Sequence, residues 1–96
     1  MSGYRLRPRA LEDLTAIGDF IAIDDPLRAV SFVDELVEVF ARIAENPRAF
    51  QRRDDLSPGL RQAVHGRYVV LLKVENDETA VIVRVAHSAR RLEDLI

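Results

Sequence analysis

Two histidines, His65 and His87, and three arginines, Arg61, Arg67 and Arg84, are the residues of this 96-residue chain best suited to acid–base chemistry on an anion. Free imidazole titrates at ~6.5, so histidine can take or give a proton at neutral pH. Guanidinium groups can stabilise the charge that builds on a phosphorane. Such a set would suffice to cleave RNA through its 2′-hydroxyl without a metal. The opposing reading makes both histidines surface or packing residues at strand ends, on a protein-binding surface without chemistry. Two histidines are not a motif, so no catalytic residue is assigned. Tyr68, beside Arg67, could stack on a base, but a lone strand tyrosine belongs more often to a core. There is no cysteine and no histidine pair at ligand spacing, so no metal site is expected. Nucleophilic triads, phosphate-cradling loops and zinc motifs are missing as well, and no cofactor is expected.

Bringing His65 and His87 together requires a sheet. Leu60 to His65, Tyr68 to Val74 and Thr79 to Ala86 are rich in Val, Leu and Ile and read as three strands. Gly66-Arg67 and the polar Asn76-Asp77-Glu78 segment are short enough to make both connections hairpins. The outer two strands then run the same way, with both histidines at one end. Their backbones sit roughly 10 Å apart, twice the ~4.8 Å strand spacing.

Upstream, Tyr4 to Arg7 reads as a short first strand. Pro8 opens a helix in which Leu11, Leu14, Ile17, Gly18 and Ile21 recur at helical spacing. Asp24-Asp25-Pro26 ends it and starts another, with Asp25 as N-cap and Pro26 in the first turn. The second helix carries Val30, Val33, Leu36, Val37, Phe40, Ile43 and Ala44 on one face and stops at Asn46-Pro47. So short a connection makes an antiparallel helix hairpin. Pro47 to Gly59 reads as a loop, and Leu92, Leu95 and Ile96 suggest a last helical turn with Ser88 as its cap.

The length predicts one domain, residues 1–96. With 48% hydrophobic and 31% charged residues, the composition is that of a folded chain rather than a disordered one. The first residues, MSGYRLRPRALEDL, lack the apolar region of a secretory signal. No apolar run approaches the ~20 residues of a membrane span. A cytoplasmic protein with no membrane contact is expected. The net charge of −2 hides an asymmetry, with acids dominating Glu12 to Glu45 and arginines Arg48 to Lys73. Arginine pairs with carboxylate and phosphate in a bidentate way that lysine cannot. A basic half on an acidic chain points to an anionic partner, either acidic protein or nucleic acid. The plain alternative is a solvated mixed surface.

Strand alternation adds a second clue. Tyr68, Val70, Leu72 and Val74 share one face of their strand, and Val69, Leu71, Lys73 and Glu75 the other. On the last strand Val81, Val83 and Val85 oppose Ile82, Arg84 and Ala86. The face with Lys73 and Arg84 is the natural open one, yet it also carries Val69, Leu71 and Ile82. A half-solvated antiparallel sheet alternates more cleanly than this. The expectation is therefore an outside partner on that face, in preference to a C-terminal tail folded back through Leu92 and Leu95.

Three stretches carry a resemblance in register: YRLRPRALEDLTAIGDFIA, FVDELVEVFARIAENP and LSPGLRQAVHGRYVVLLKVENDETAVIVRVAHSARRLEDLI. Together they resemble a ParE-type toxin of the ParE/RelE superfamily over nearly the whole chain. The most specific pieces are P-R-A-L-E-D-L, A-E-N-P, P-G-L-R, G-R-Y-V and I-V-R-V-x-H-x-A-R. The resemblance implies an α+β fold of order β-α-α-β-β-β, with the helix hairpin on one face of a small antiparallel sheet. It also implies the toxin half of a type II toxin–antitoxin pair, bound as a hetero-oligomer by a small acidic ParD-like antitoxin. Contact with DNA would come only through that antitoxin.

On this resemblance Val69, Leu71, Ile82 and Arg84 are expected to form the antitoxin groove, with Arg61 and Arg67 pairing with antitoxin carboxylates. ParE-like members are associated with inhibition of DNA gyrase, and RelE-like members cut mRNA on the ribosome. The H-x-A-R-R-L-E-D-L ending resembles the ParE branch, which makes His87, Arg90 and Arg91 the expected target-binding residues. The alternative is a RelE-like nuclease using His87 with Arg61, Arg67 and Arg84. Against it, Pro47 to Gly59 contains no lysine, where the nucleases have a lysine-rich loop, and the C-terminal stretch has no tyrosine. Arg7, before Pro8, replaces a small polar helix cap and is expected to cost some helix stability.

Overall fold

Proline and aspartate punctuate the helical half of the chain, in a computed structural model that describes residues 3–96. Strand β1 (Tyr4–Leu6) runs into α1 (Pro8–Ala22), with Pro8 in the first turn. Helix α2 (Pro26–Glu45) follows, and its N-cap Asp25 accepts a hydrogen bond from the Arg28 N–H at 3.0 Å. After a tight turn at Pro47–Ala49 come β2 (Gln51–Arg52), β3 (Arg61–His65), β4 (Tyr68–Val74) and β5 (Ala80–His87). A last tight turn spans Leu92–Leu95.

The strands form one sheet in the order β1-β5-β4-β3-β2, with the helix hairpin on one face. The α+β architecture expected from the sequence is present, with two additions. Strand β1 pairs in parallel with β5, matching Tyr4 with Ala80 and Leu6 with Ile82, so the sheet is mixed. The two-residue strand β2 extends the far edge by pairing with Arg61 and Gln62.

The buried faces of the helices are rotated from those the spacing suggested. Helix α1 buries Ala10, Leu14 and Ile17 and leaves Leu11 exposed. Helix α2 buries Ala29, Phe32, Leu36, Val39, Phe40, Ile43 and Ala44, while Val30 and Val37 face outward. The second helix carries two interleaved apolar stripes, and the one with both phenylalanines removes more surface from water. These side chains pack on Val70, Leu72, Ile82 and Val85 of the sheet.

A bulge corrects the face assignment on β5. Leu71 stands opposite Arg84 and Leu72 opposite Ile82, so Val83 is the extra residue. Beyond it the alternation shifts by one. Ile82 belongs to the core under the helices, and Val83 takes its place on the outer face with Leu60, Val69 and Leu71.

That outer face is covered by the chain itself, contrary to the expectation of an outside partner. Leu56 and Leu92 pack against it, and Leu95 is buried. The tail turn starts at Arg91 with no side-chain cap, so Ser88 does not cap it; the Ser88 N–H donates instead to the Arg67 carbonyl at 2.7 Å.

Candidate functional site

The row His65, Tyr68, His87 crosses three strands at one end of the sheet, because His65 pairs with Tyr68 and Tyr68 with His87. The sequence placed both histidines at this end, and they are there. They do not converge. Tyr68 stands between them, with its ring centroid 5.3 Å from that of His87 in an edge-on contact and 5.2 Å from Phe32. His65 turns toward α2, where its Nε2 lies 2.8 Å from Glu35 Oε1. The Arg28 guanidinium, and after it the His65 ring, hold the Glu35 carboxyl below the usual carboxylate range. His87 Nδ1 accepts the Ala89 N–H at 3.0 Å, which fixes the ring against the following turn.

The arginines are dispersed. Arg61 sends Nη1 to the carbonyls of Arg48 at 3.0 Å and Phe50 at 2.8 Å, toward the β2 edge. Arg67 is exposed in the β3–β4 turn, where Gly66 adopts φ +58°. Arg84 is 7% exposed. Its Nε and Nη2 donate to Asp13 Oδ2 at 2.8 Å and Oδ1 at 2.9 Å, and Nη1 donates to the Leu95 carbonyl at 3.3 Å. The Asp13 carboxylate keeps the Arg84 guanidinium more firmly charged than usual.

The expected antitoxin groove is therefore not a surface. Leu71 and Ile82 have no exposed area, Val69 and Arg84 are buried, and Ile82 lies on the helix side. Arg67 alone of that set is fully available, with Arg61 partly so. Of the expected target-binding residues, His87 is half-buried, and Arg90 and Arg91 are exposed. Arg91 is engaged with Glu93 at 3.0 Å.

Open surface lies beside His87 and Arg90, two of the expected target-binding residues, and extends onto α1, which the sequence did not single out. A cleft of about 420 Å³ between α1 and the end of β5 is walled by Asp13, Ile17, Phe20, Tyr68, His87 and Arg90. Phe20 is 68% exposed, and beyond it Ile23, Leu27 and Val30 around the helix–helix turn are 78%, 85% and 63% exposed. Apolar surface on this scale marks an interaction site more often than a free surface. Part of its sequence signal was the second apolar stripe on α2, which includes Val30 and which one core cannot absorb. Among the described residues no group of three or more His, Cys, Asp or Glu could hold a metal. No helix among them is long and apolar enough to cross a membrane.

Residues 4–92 match the family described as the ParE toxin of type II toxin–antitoxin systems, parDE. The chain is 31% identical over 90 residues to Toxin ParE1 of Mycobacterium tuberculosis, covering 90% of this chain and 89% of that protein. Among solved structures, a chain of the chromosomal ParDE system from P. aeruginosa superposes with a TM-score of 0.77 at 21% identity. That match covers 91% of this chain and 96% of the other. A doubly substituted mutant of E. coli toxin RelE in the free state superposes with a TM-score of 0.67 at 15% identity, covering 98% of this chain and 92% of the other. A chain of the RelBE2 toxin–antitoxin complex from M. tuberculosis gives 0.65 at 24% identity, with coverage of 90% and 96%.

Proposed function

This chain belongs to the ParE family of type II toxin–antitoxin toxins, and from that premise we propose that it arrests growth by binding a replication protein, without chemistry of its own. The target is DNA gyrase in the cytoplasm, and a ParD-like antitoxin neutralises the toxin by direct binding. Target contact falls at the sheet end that carries His87, Arg90 and Arg91, with Phe20 beside it.

The observation that carries this reading is the condition of Arg84. A nuclease centre needs that guanidinium aimed at a phosphate, and here it is buried and saturated by Asp13 and the Leu95 carbonyl. His65 is held by Glu35, and Arg61 by two backbone carbonyls. Of the groups expected to move protons and stabilise charge, His65, Arg61 and Arg84 each have a structural partner, which leaves only Arg67 and the outer edge of the His87 ring open. The exposed apolar side chains of Phe20, Ile23, Leu27 and Val30 further support a protein that works by docking.

Purified toxin titrated into a gyrase supercoiling reaction tests the target. Loss of supercoiling that added antitoxin restores supports it. Supercoiling that continues at saturating toxin rejects it.

A further inference from the structure

Two pockets flank the Asp13–Arg84 pair along the seam between α1 and β5. Asp13 is part of the wall of the apolar cleft at Phe20. Arg84 is part of the wall of a second pocket, of about 280 Å³, with Arg7, Arg9, Lys73, Val83 and Leu95. The ion pair is thus the sill between an apolar pocket and a basic one.

The charge in the basic pocket is unbalanced. Arg84 is answered by Asp13, but Arg7, Arg9 and Lys73 have no ion-pair partner among the described residues. Lys73 Nζ reaches only the Ser57 hydroxyl, at 3.3 Å. Elsewhere Arg5, Arg28, Arg48, Arg52, Arg53 and Arg91 each hold a carboxylate, while Arg42, Arg61, Arg67 and Arg90 hold none among the described residues. The seam differs in gathering three such cations around one pocket. Arg7 is also the N-cap residue of α1 and makes no capping hydrogen bond there. An isolated fold gains from a small polar residue at that position, so Arg7 does nothing for the helix end it occupies.

We propose that the seam is a peptide groove for an acidic segment of the antitoxin. A large apolar side chain of the segment enters the cleft at Phe20, and a carboxylate enters the pocket formed by Arg7, Arg9 and Lys73. This rests on the antitoxin reading above and says where the acidic protein's charge is met. Residues 7 and 20 are about 20 Å apart along a helix rising 1.5 Å per residue, a span that roughly six extended residues cover. The walls favour peptide over nucleic acid. Val83 and Leu95 stand beside the cations, and the adjoining cleft is apolar with the Asp13 carboxylate in its wall. A phosphodiester chain would lose hydration against these apolar walls without gaining a partner there. Because His87 and Arg90 line the same cleft, the seated segment also covers the region proposed for target binding. Neutralisation is then occlusion.

Calorimetric titration of the folded toxin with its co-encoded full-length antitoxin, at two salt concentrations, tests the groove. The triple variant Arg7→Gln, Arg9→Gln, Lys73→Gln is expected to bind at least 30-fold more weakly, with a shallower salt dependence. Phe20→Ala is expected to weaken binding at least 10-fold without changing the salt dependence. A matched control, Arg5→Gln, Arg28→Gln, Arg42→Gln, removes the same charge away from the seam and should stay within about threefold of the native protein. The groove is rejected if the seam triple binds as tightly as the native toxin, or if the control loses as much. It is also rejected if the triple loses binding to a 20-nucleotide RNA while keeping the antitoxin. Native toxin that does not bind the antitoxin at all would instead overturn the antitoxin reading, and the groove with it.

Discussion

Asp13 of α1 and Arg84 of β5, 71 residues apart in the chain, form a two-point ion pair with N–O distances of 2.8 and 2.9 Å. The same Asp13 carboxylate accepts the Val85 N–H at 2.9 Å, so it fastens the helix to the strand just past the bulge at Val83. Asp13→Ala should cost about 3–5 kcal/mol in urea unfolding, because it strands a buried guanidinium. Adding Arg84→Met should recover more than half of the loss, leaving mainly the Val85 N–H unsatisfied. If the double variant is no more stable than the single one, the pair is not what sets the cost.

Arg7 gives a prediction in which stability and binding part company. Arg7→Ser supplies the missing cap on α1 and should stabilise the fold by about 1 kcal/mol. The same change removes one cation of the seam and should weaken antitoxin binding. Thermal melts and titrations on one preparation check both signs.

The Glu35 network makes a prediction in pH. Its carboxyl is held below the usual carboxylate range, first by Arg28 and then by His65. A depressed acid binds fewer protons folded than unfolded, so its contribution is present above the unfolded pKa of ~4.3. That contribution is lost as pH falls through the lower folded value. Glu35→Gln should therefore reduce stability near neutrality and flatten the acid side of a urea-midpoint profile measured from pH 3 to 7. An unchanged acid limb would mean that the pair is too solvated to matter.

The tail is predicted to be a structural cover. Leu95 is 8% exposed, and Leu56 and Leu92 close the outer cluster around Leu71. Leu95→Ala should cost about 2 kcal/mol, at the low end for a buried leucine, because the site can collapse toward solvent. Amide exchange in β4 and β5 should speed up while α2 stays protected. Uniform acceleration throughout the chain would argue against a local cover.

The order of elements was legible because prolines, capping aspartates and β-branched runs act locally: Pro8, Asp25, Pro26 and Pro47 mark the helix ends where the structure has them. The faces were harder. Val30, Val33 and Val37 form as regular a stripe as Phe32, Leu36 and Val39, and only the sheet decides which is buried. The bulge at Val83 is one residue in an unbroken apolar strand, so no turn residue announces that Ile82 changes sides. Strand β1 offers three residues and no sign of its parallel partner. The row of His65, Tyr68 and His87 follows from strand pairing alone, which is why it was found. The partner of Arg84 depends on how α1 lies against β5, and alternation within a strand says nothing about that.

The central claim is that this toxin acts by docking and breaks no RNA bond. Mapping transcript 5′ ends genome-wide after inducing the toxin without its antitoxin addresses it most directly. Growth arrest with no new 5′ ends is expected for the native protein, and His87→Ala, which removes part of the target-binding end, is expected to arrest growth less while likewise producing no new 5′ ends. New internal 5′ ends that appear with the native toxin and vanish with His87→Ala would contradict it.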